Sequence, residues 1–268
     1  MNSLSIVGFD SAWGDRAEGA ICSITLAKDG AASFTAPFCC TFNGALKFIT
    51  SERTTCDACI IAIDQPTIVP NDTGGRPVDK IAGAVVGFIG GGVQMARRSK
   101  AELFGDDAPV WRFLKALSAI LDPEECRIAN SGLFVIEVLP ALALPAFNEK
   151  FYGYRKGPKY NPANRSQFRQ VDWCAVIETI AAIARAVPIE GLEDWTRQTT
   201  KIEAPRKSHQ DQIDAVLCAL IGHHWRTKPR EHSIMIGDLT SGYIVSPASA
   251  PITERLNIKA LKISSRHY

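Results

Sequence analysis

Short apolar runs bounded by turn residues dominate the first part of the chain, and helical spacing dominates the last part. Residues 4–9 (LSIVGF) predict a buried first strand that ends at Asp10. Residues 19–27 (GAICSITLA) and 33–39 (SFTAPFC) predict two more strands, with KDG supplying the turn between them. A helix is expected over 44–53, followed by a fourth strand, CIIAID, ending at Asp64. A further strand, LFVIEV, carries Glu137. Apolar residues then recur at helical spacing over 171–187 and 209–225, and HSIMIGDLTSGYIVSP reads as a hairpin turning at TSG. This order of elements predicts one α/β layer architecture. It gives a single domain over 1–250 with a C-terminal tail over 251–268.

The uncharged run at 81–96 (IAGAVVGFIGGGVQMA) interrupts the pattern. With 16 residues and five glycines it is short for a membrane span, and it lacks the Gly-Lys-Ser/Thr ending of a phosphate-binding loop. We read it as flexible, within an insertion of about 70–108 on the core. A formal charge of +2 neither demands nor excludes a polyanionic partner, so charge distribution has to decide. The N-terminus shows no secretory pattern, and the eight cysteines sit mostly in apolar stretches. Reduced core thiols in a cytoplasmic protein without membrane association are expected. The Cys56–Cys59 pair has redox or zinc spacing, but no second pair accompanies it and core packing is the better reading.

Three acids, Asp10, Asp64 and Glu137, end or nearly end apolar strands. Any one of them has a bland explanation in capping or turn formation. Together they suggest a shared site at a sheet rim. In HQDQIDAVLCAL (209–220), Asp211 and Asp214 share one helix face, and Asp214 lies one turn from Leu217 and Cys218. An unpaired carboxylate at the edge of a buried stripe is costly, whereas Asp211 could be a solvated edge. Gathered carboxylates need a cation or a proton, and hard oxygen donors suit Mg²⁺ or Mn²⁺. Arg76 and Asp79 are candidates for a structural ion pair near the site, and His209 for a helix cap.

The blocks IVGFDSAWG, GGRPVDK, IIAIDQP, VIEVLP, HQDQIDAVLCAL and GDLTSGYIVSP resemble those of the uncharacterised-domain family 429 (DUF429) of predicted RNase H-like nucleases. The late helix is also similar to that of the RuvC-type Holliday-junction resolvases. The resemblance implies an RNase H-like fold: a central mixed five-stranded sheet flanked by helices, with an antiparallel meander first, and here insertions and a C-terminal hairpin. It further implies two metal ions, Mg²⁺ or Mn²⁺, held by Asp10, Asp64 and Asp214. Glu137 and Asp211 complete the implied catalytic set, for two-metal hydrolysis of phosphodiester bonds. The residue before Pro140, often histidine in the family, is Leu139 here.

A nucleic-acid partner is also suggested by 150–169 (KFYGYRKGPKYNPANRSQFR), where basic and aromatic residues interleave with no acid. Arg155, Lys156, Lys159, Tyr160, Arg165 and Arg169 are its candidate contacts, through phosphate neutralisation and base stacking. Two other readings stand beside the nuclease: a non-catalytic nucleic-acid-binding module of the same fold, and a sugar-kinase-like ATPase. The second needs a duplicated core that a chain of 268 residues does not accommodate.

Overall fold

The computed structural model describes residues 3–14 and 17–264; the last four residues of the expected tail lie outside them. An antiparallel meander of β1 (Leu4–Asp10), β2 (Gly19–Leu26) and β3 (Ala32–Cys40) comes first, followed by α1 (Phe42–Thr55) and β4 (Ala58–Ile63). A long excursion carries α2 (Pro77–Val86), α3 (Ala101–Phe104), α4 (Pro109–Leu117) and α5 (Glu125–Ile128). Next come β5 (Gly132–Glu137), α6 (Pro140–Phe147), α7 (Gln170–Ala186), α8 (Leu192–Thr200) and α9 (Lys207–Thr227). The hairpin β6 (Ser233–Asp238) and β7 (Gly242–Pro247) precedes α10 (Ala250–Ser264).

Five strands form a mixed sheet in the order β3-β2-β1-β4-β5, with β1, β4 and β5 parallel. This is the sheet, flanked by helices and followed by a hairpin, that the sequence predicts. Alternation along β1 divides the core between its faces. Val7 and Phe9 pack with α1 and α4 through Ile49 and Phe113. Leu4 and Ile6 face the other way, onto Cys218, Ile221 and Trp225 of α9. The α9 side is completed by α7, whose Trp173, Val176 and Ile180 are buried.

Helix α9 is buried almost all round from Ile213 to His223, so it is a central element rather than a surface one. Its closeness to the sheet depends on Gly8 in the middle of β1. A Cβ there would stand 2.0 Å from the Ala215 carbonyl oxygen and 2.4 Å from the Ala219 nitrogen. Only glycine permits that approach.

The glycine-rich run differs from its expected flexibility. Residues 81–86 belong to α2, which starts with Pro77 in its first turn and buries Val78, Ile81, Ala82, Val85 and Val86. Packing against α10 and the terminal hairpin outweighs the cost of about 1 kcal/mol for Gly83 within the helix. The chain turns only afterwards, at Gly90 with φ 88°. The C-terminal segment set apart as a tail contains α10, with Ile252 and Leu256 buried in the same cluster as α2. Among the described residues the cysteines are free thiols, and Cys59 is buried on β4 while Cys56 is half-buried after α1. No helix among the described residues is long and apolar enough to cross a membrane.

Candidate functional site

Parallel strands end on the same rim of a sheet, and β1, β4 and β5 are parallel. Asp10 is the last residue of β1, Asp64 follows β4 directly, and Glu137 ends β5. The Asp64 N–H donates to the Phe9 carbonyl at 3.0 Å, which continues the ladder and keeps Asp64 beside Asp10. From above, the first turns of α9 bring Asp211 and Asp214, which are 8% and 7% exposed. Asp211 is therefore no solvated edge.

The carboxylates feel one another. The Asp10 carboxyl is raised well above the usual range, first by burial and then by Asp214 and Asp64. Asp64 is pushed up to about 8 by burial, with Asp214 and Glu137 adding to it. Asp214 rises only to about 6. Burial raises it, but a hydrogen bond from Tyr160 and the charge of Lys207 hold it down.

Three neighbours of these acids were not singled out for such a role by the sequence. Tyr160 donates its phenol to Asp214 Oδ1 at 2.6 Å, and Gln210 donates its amide to Asp214 Oδ2 at 2.7 Å. Lys207 forms an ion pair with Asp211 one turn along α9. Burial works against its ammonium, but Asp211, Asp10 and Asp214 outweigh that and raise its pKa. The spacing of Lys207 and Asp211 is the usual one for a helical ion pair, so it carried a signal. The Tyr160 contact spans 54 positions and carried none. His209 accepts from the Arg206 backbone N–H through Nδ1 at 3.1 Å, which makes it a helix cap.

Glu137 reaches the rim but is held by Arg76, which is 1% exposed. Arg76 Nη2 lies 2.5 Å from Glu137 Oε1 and Nη1 lies 2.9 Å from Oε2. Oε2 also accepts from the Thr67 N–H at 2.9 Å. The same guanidinium binds Asp79 Oδ1 from Nε at 3.1 Å and from Nη2 at 2.7 Å. The expected Arg76–Asp79 pair is thus present, with Glu137 as its third member. Burial still raises the Glu137 carboxyl, opposed by Arg76.

A cavity of about 260 Å³ opens between these groups, lined by Asp64, Glu137 and Asp214 as well as Trp13, Gln65 and Leu139. Among the described residues, no group of three or more His, Cys, Asp or Glu side chains stands arranged to hold a metal ion. The chemistry of the donor set fits a hard cation all the same. Asp10, Asp64, Asp211 and Asp214 are oxygen donors, and the positive charge acting on Asp10 comes from Lys207.

The basic-aromatic segment divides. Arg155, Lys156 and Arg165 are exposed and form no ion pair with a described residue. Lys159 instead caps the Gly90 carbonyl with its ammonium, and Arg169 pairs with Asp172 at 2.6 Å. Tyr160 packs its ring on the α7–α9 core and turns its hydroxyl to Asp214, so it belongs with the acids rather than to a stacking platform.

Searches of curated proteins and of solved structures find no match to this chain. A family model, described as protein of unknown function (DUF429), matches residues 8–234. The match takes in Asp10, Asp64, Glu137, Asp211 and Asp214. The chain belongs to the DUF429 family.

Proposed function

We propose that the chain is a metal-dependent nuclease with an RNase H-like fold that hydrolyses phosphodiester bonds of nucleic acid. The observation that carries this reading is the convergence of Asp10, Asp64 and Asp214, each with its carboxyl raised by burial beside the others. Asp10, Asp64 and Asp214 are the residues that would hold two Mg²⁺ or Mn²⁺ ions. Such ions supply Lewis acidity to a phosphodiester and a nucleophile from water at neutral pH. Tyr160 and Gln210 orient Asp214 by occupying one oxygen each. Lys207 positions Asp211 and sets a fixed positive charge beside the acids, where it meets the charge of a phosphate. Glu137 acts through Arg76, bracing the rim beneath Asp64. Arg155, Lys156 and Arg165 receive the backbone of the substrate further out.

The test is Asp10→Asn in purified protein, with Mg²⁺ or Mn²⁺ and RNA–DNA hybrids, branched DNA and single strands as substrates. Cleavage by the parent falls by more than about 10²-fold in the variant. Equal activity in the two overturns the assignment. The arrangement of the acids as they stand favours one other reading, a nucleic-acid-binding module without turnover. Mn²⁺ titration separates the two: the nuclease binds the ion at millimolar concentration or below, and the module does not.

A further inference from the structure

Away from the acids, cations gather on a second surface without carboxylate partners. Helix α10 places Arg255, Lys259 and Lys262 at successive turns, so they share a face, while Ile252 and Leu256 hold the helix to α2. With Tyr152 and Pro251 these three line a groove of about 430 Å³. The Tyr152 hydroxyl donates to the Pro251 carbonyl at 3.0 Å, which ties the turn at 152–156 to the start of α10. Among the described residues Glu254 is the sole acid of that lining. Arg255 and Lys259, like Arg155 and Lys156 on the turn, form no ion pair with a described residue. The Arg255 guanidinium stands over the Phe88 ring, 3.6 Å from its centroid, so a ring fixes this charge in place and no acid neutralises it. Tyr152 and Tyr154 pack against the same ring at 5.8 and 6.1 Å. Tyr154 is nonetheless 72% exposed and open to a partner.

One stretch of chain links this surface to the acids. The Arg155 and Gly157 N–H groups donate to the Phe88 and Ile89 carbonyls at 2.8 Å each, which seats the turn on residues 88–90. Gly90 lies against the turn, because a Cβ there would stand 3.4 Å from the Arg155 Cα. Gly90 also lines a groove of about 370 Å³ that shares Gly92, Tyr160 and Gln210 with the acid cavity. A line of openings therefore runs from the acids past Gly92 and Gly90 to Arg155, and on to Phe88 and α10. An unpaired strand of nucleic acid suits such a line, with a row of phosphates for the cations and base faces for an exposed ring. A lipid surface also carries anions, but it takes a protruding face, whereas these cations line a groove.

We propose that α10 and the turn at 152–156 form a second contact surface for single-stranded nucleic acid, beyond the acids. Arg255, Lys259 and Lys262 meet its phosphates, and Tyr154 stacks on a base. The inference rests on the nuclease reading for the passage of the strand through the acid site.

Binding measured in EDTA tests the surface without cleavage. An oligothymidylate of about 12 nucleotides is titrated against the whole chain and against a variant with Arg255→Gln, Lys259→Gln and Lys262→Gln. The variant binds about tenfold more weakly at low salt, and its slope of log affinity against log salt is shallower by about 2, as the loss of three phosphate contacts requires. Unchanged affinity and slope overturn the proposal. Tyr154→Ala weakens the strand by about fivefold or more and leaves inorganic polyphosphate unaffected; equal weakening of both overturns the base contact. Photo-crosslinking on the unaltered chain covers a variant that fails to fold. A strand carrying photoreactive thymidines gives adducts within 150–157 and 250–262, and adducts confined to other segments overturn the proposal. Binding to phosphatidylserine vesicles that the triple variant abolishes, with strand binding unchanged, gives the face to a lipid surface and overturns it too. Cleavage by a chain whose strand binding ignores α10 rejects this surface alone. Strand binding that depends on α10 in a chain that cleaves nothing rejects the nuclease reading alone.

Discussion

Asp64 stands at the end of a fully buried strand, with Asp10 and Asp214 as neighbours, and its carboxyl is pushed up to about 8. In a metal-free buffer this has a definite sign. The unfolded chain releases the Asp64 proton near pH 4, whereas the folded chain keeps it until about 8. The stability this provides is complete below the unfolded value and is lost as pH rises through the folded one. We expect Asp64→Asn, which carries no such penalty, to melt at a higher temperature than the parent at pH 8 in EDTA. The gap, on the order of a few kcal/mol at most, closes as pH falls towards 4. Thermal melts across that range check it; a variant less stable than the parent at pH 8 contradicts the burial of charge at this rim. The acids themselves were legible because apolar runs end on them at Asp10 and Asp64. Tyr160 beside them was not. It is brought to Asp214 from 54 positions away, and no local pattern distinguishes a phenol that holds a carboxylate from one that stacks on a base.

At the level of elements, the buried cluster of Arg76, Asp79 and Glu137 joins the start of α2 to the end of β5. Asp79 Oδ2 also accepts from the Ala96 N–H at 2.8 Å, so the far end of the glycine-rich run is fastened to the same point. Arg76→Met removes the fork and leaves two buried carboxylates without their cation, a loss of about 3–5 kcal/mol. Chemical denaturation should show this, and hydrogen exchange should show weakened protection of residues 66–96 before the sheet opens. Unchanged protection there would mean the cluster does not fasten this segment. The strands and the helices α1, α7 and α9 were legible because their apolar spacing agrees with their burial. Helix α2 was hidden because Gly83 and Gly87 dilute a pattern that Val78, Ile81, Ala82 and Val85 still carry. For α8, whose residues are mostly polar, only Leu192, Thr196 and Thr199 are buried, too few to stand out.

For the molecule as a whole, the acid cluster opposes stability as pH rises, and a group further along α9 opposes it as pH falls. His223 is 5% exposed, and burial pushes its imidazole down to about 4. The folded chain keeps it neutral while the unfolded chain protonates it near 6.5, so its contribution is present above that value and lost as pH falls towards 4. That share amounts to roughly 3 kcal/mol. Urea titrations at pH 7 and pH 4.5 should show a smaller acid loss for His223→Leu than for the parent, and equal losses would place the acid sensitivity elsewhere. The stability optimum without metal therefore lies between two limbs, one set by the carboxylates of the rim and the other by His223 of α9. That helix rests on β1 at Gly8, two positions before Asp10. Gly8 thereby acts as the fulcrum of a caliper whose jaws are the strand carboxylate and the helix carboxylate. A methyl group placed there would wedge the jaws apart, changing the gauge of the centre without touching any acid in it. The spacing of the carboxylates is written in a side chain that is absent.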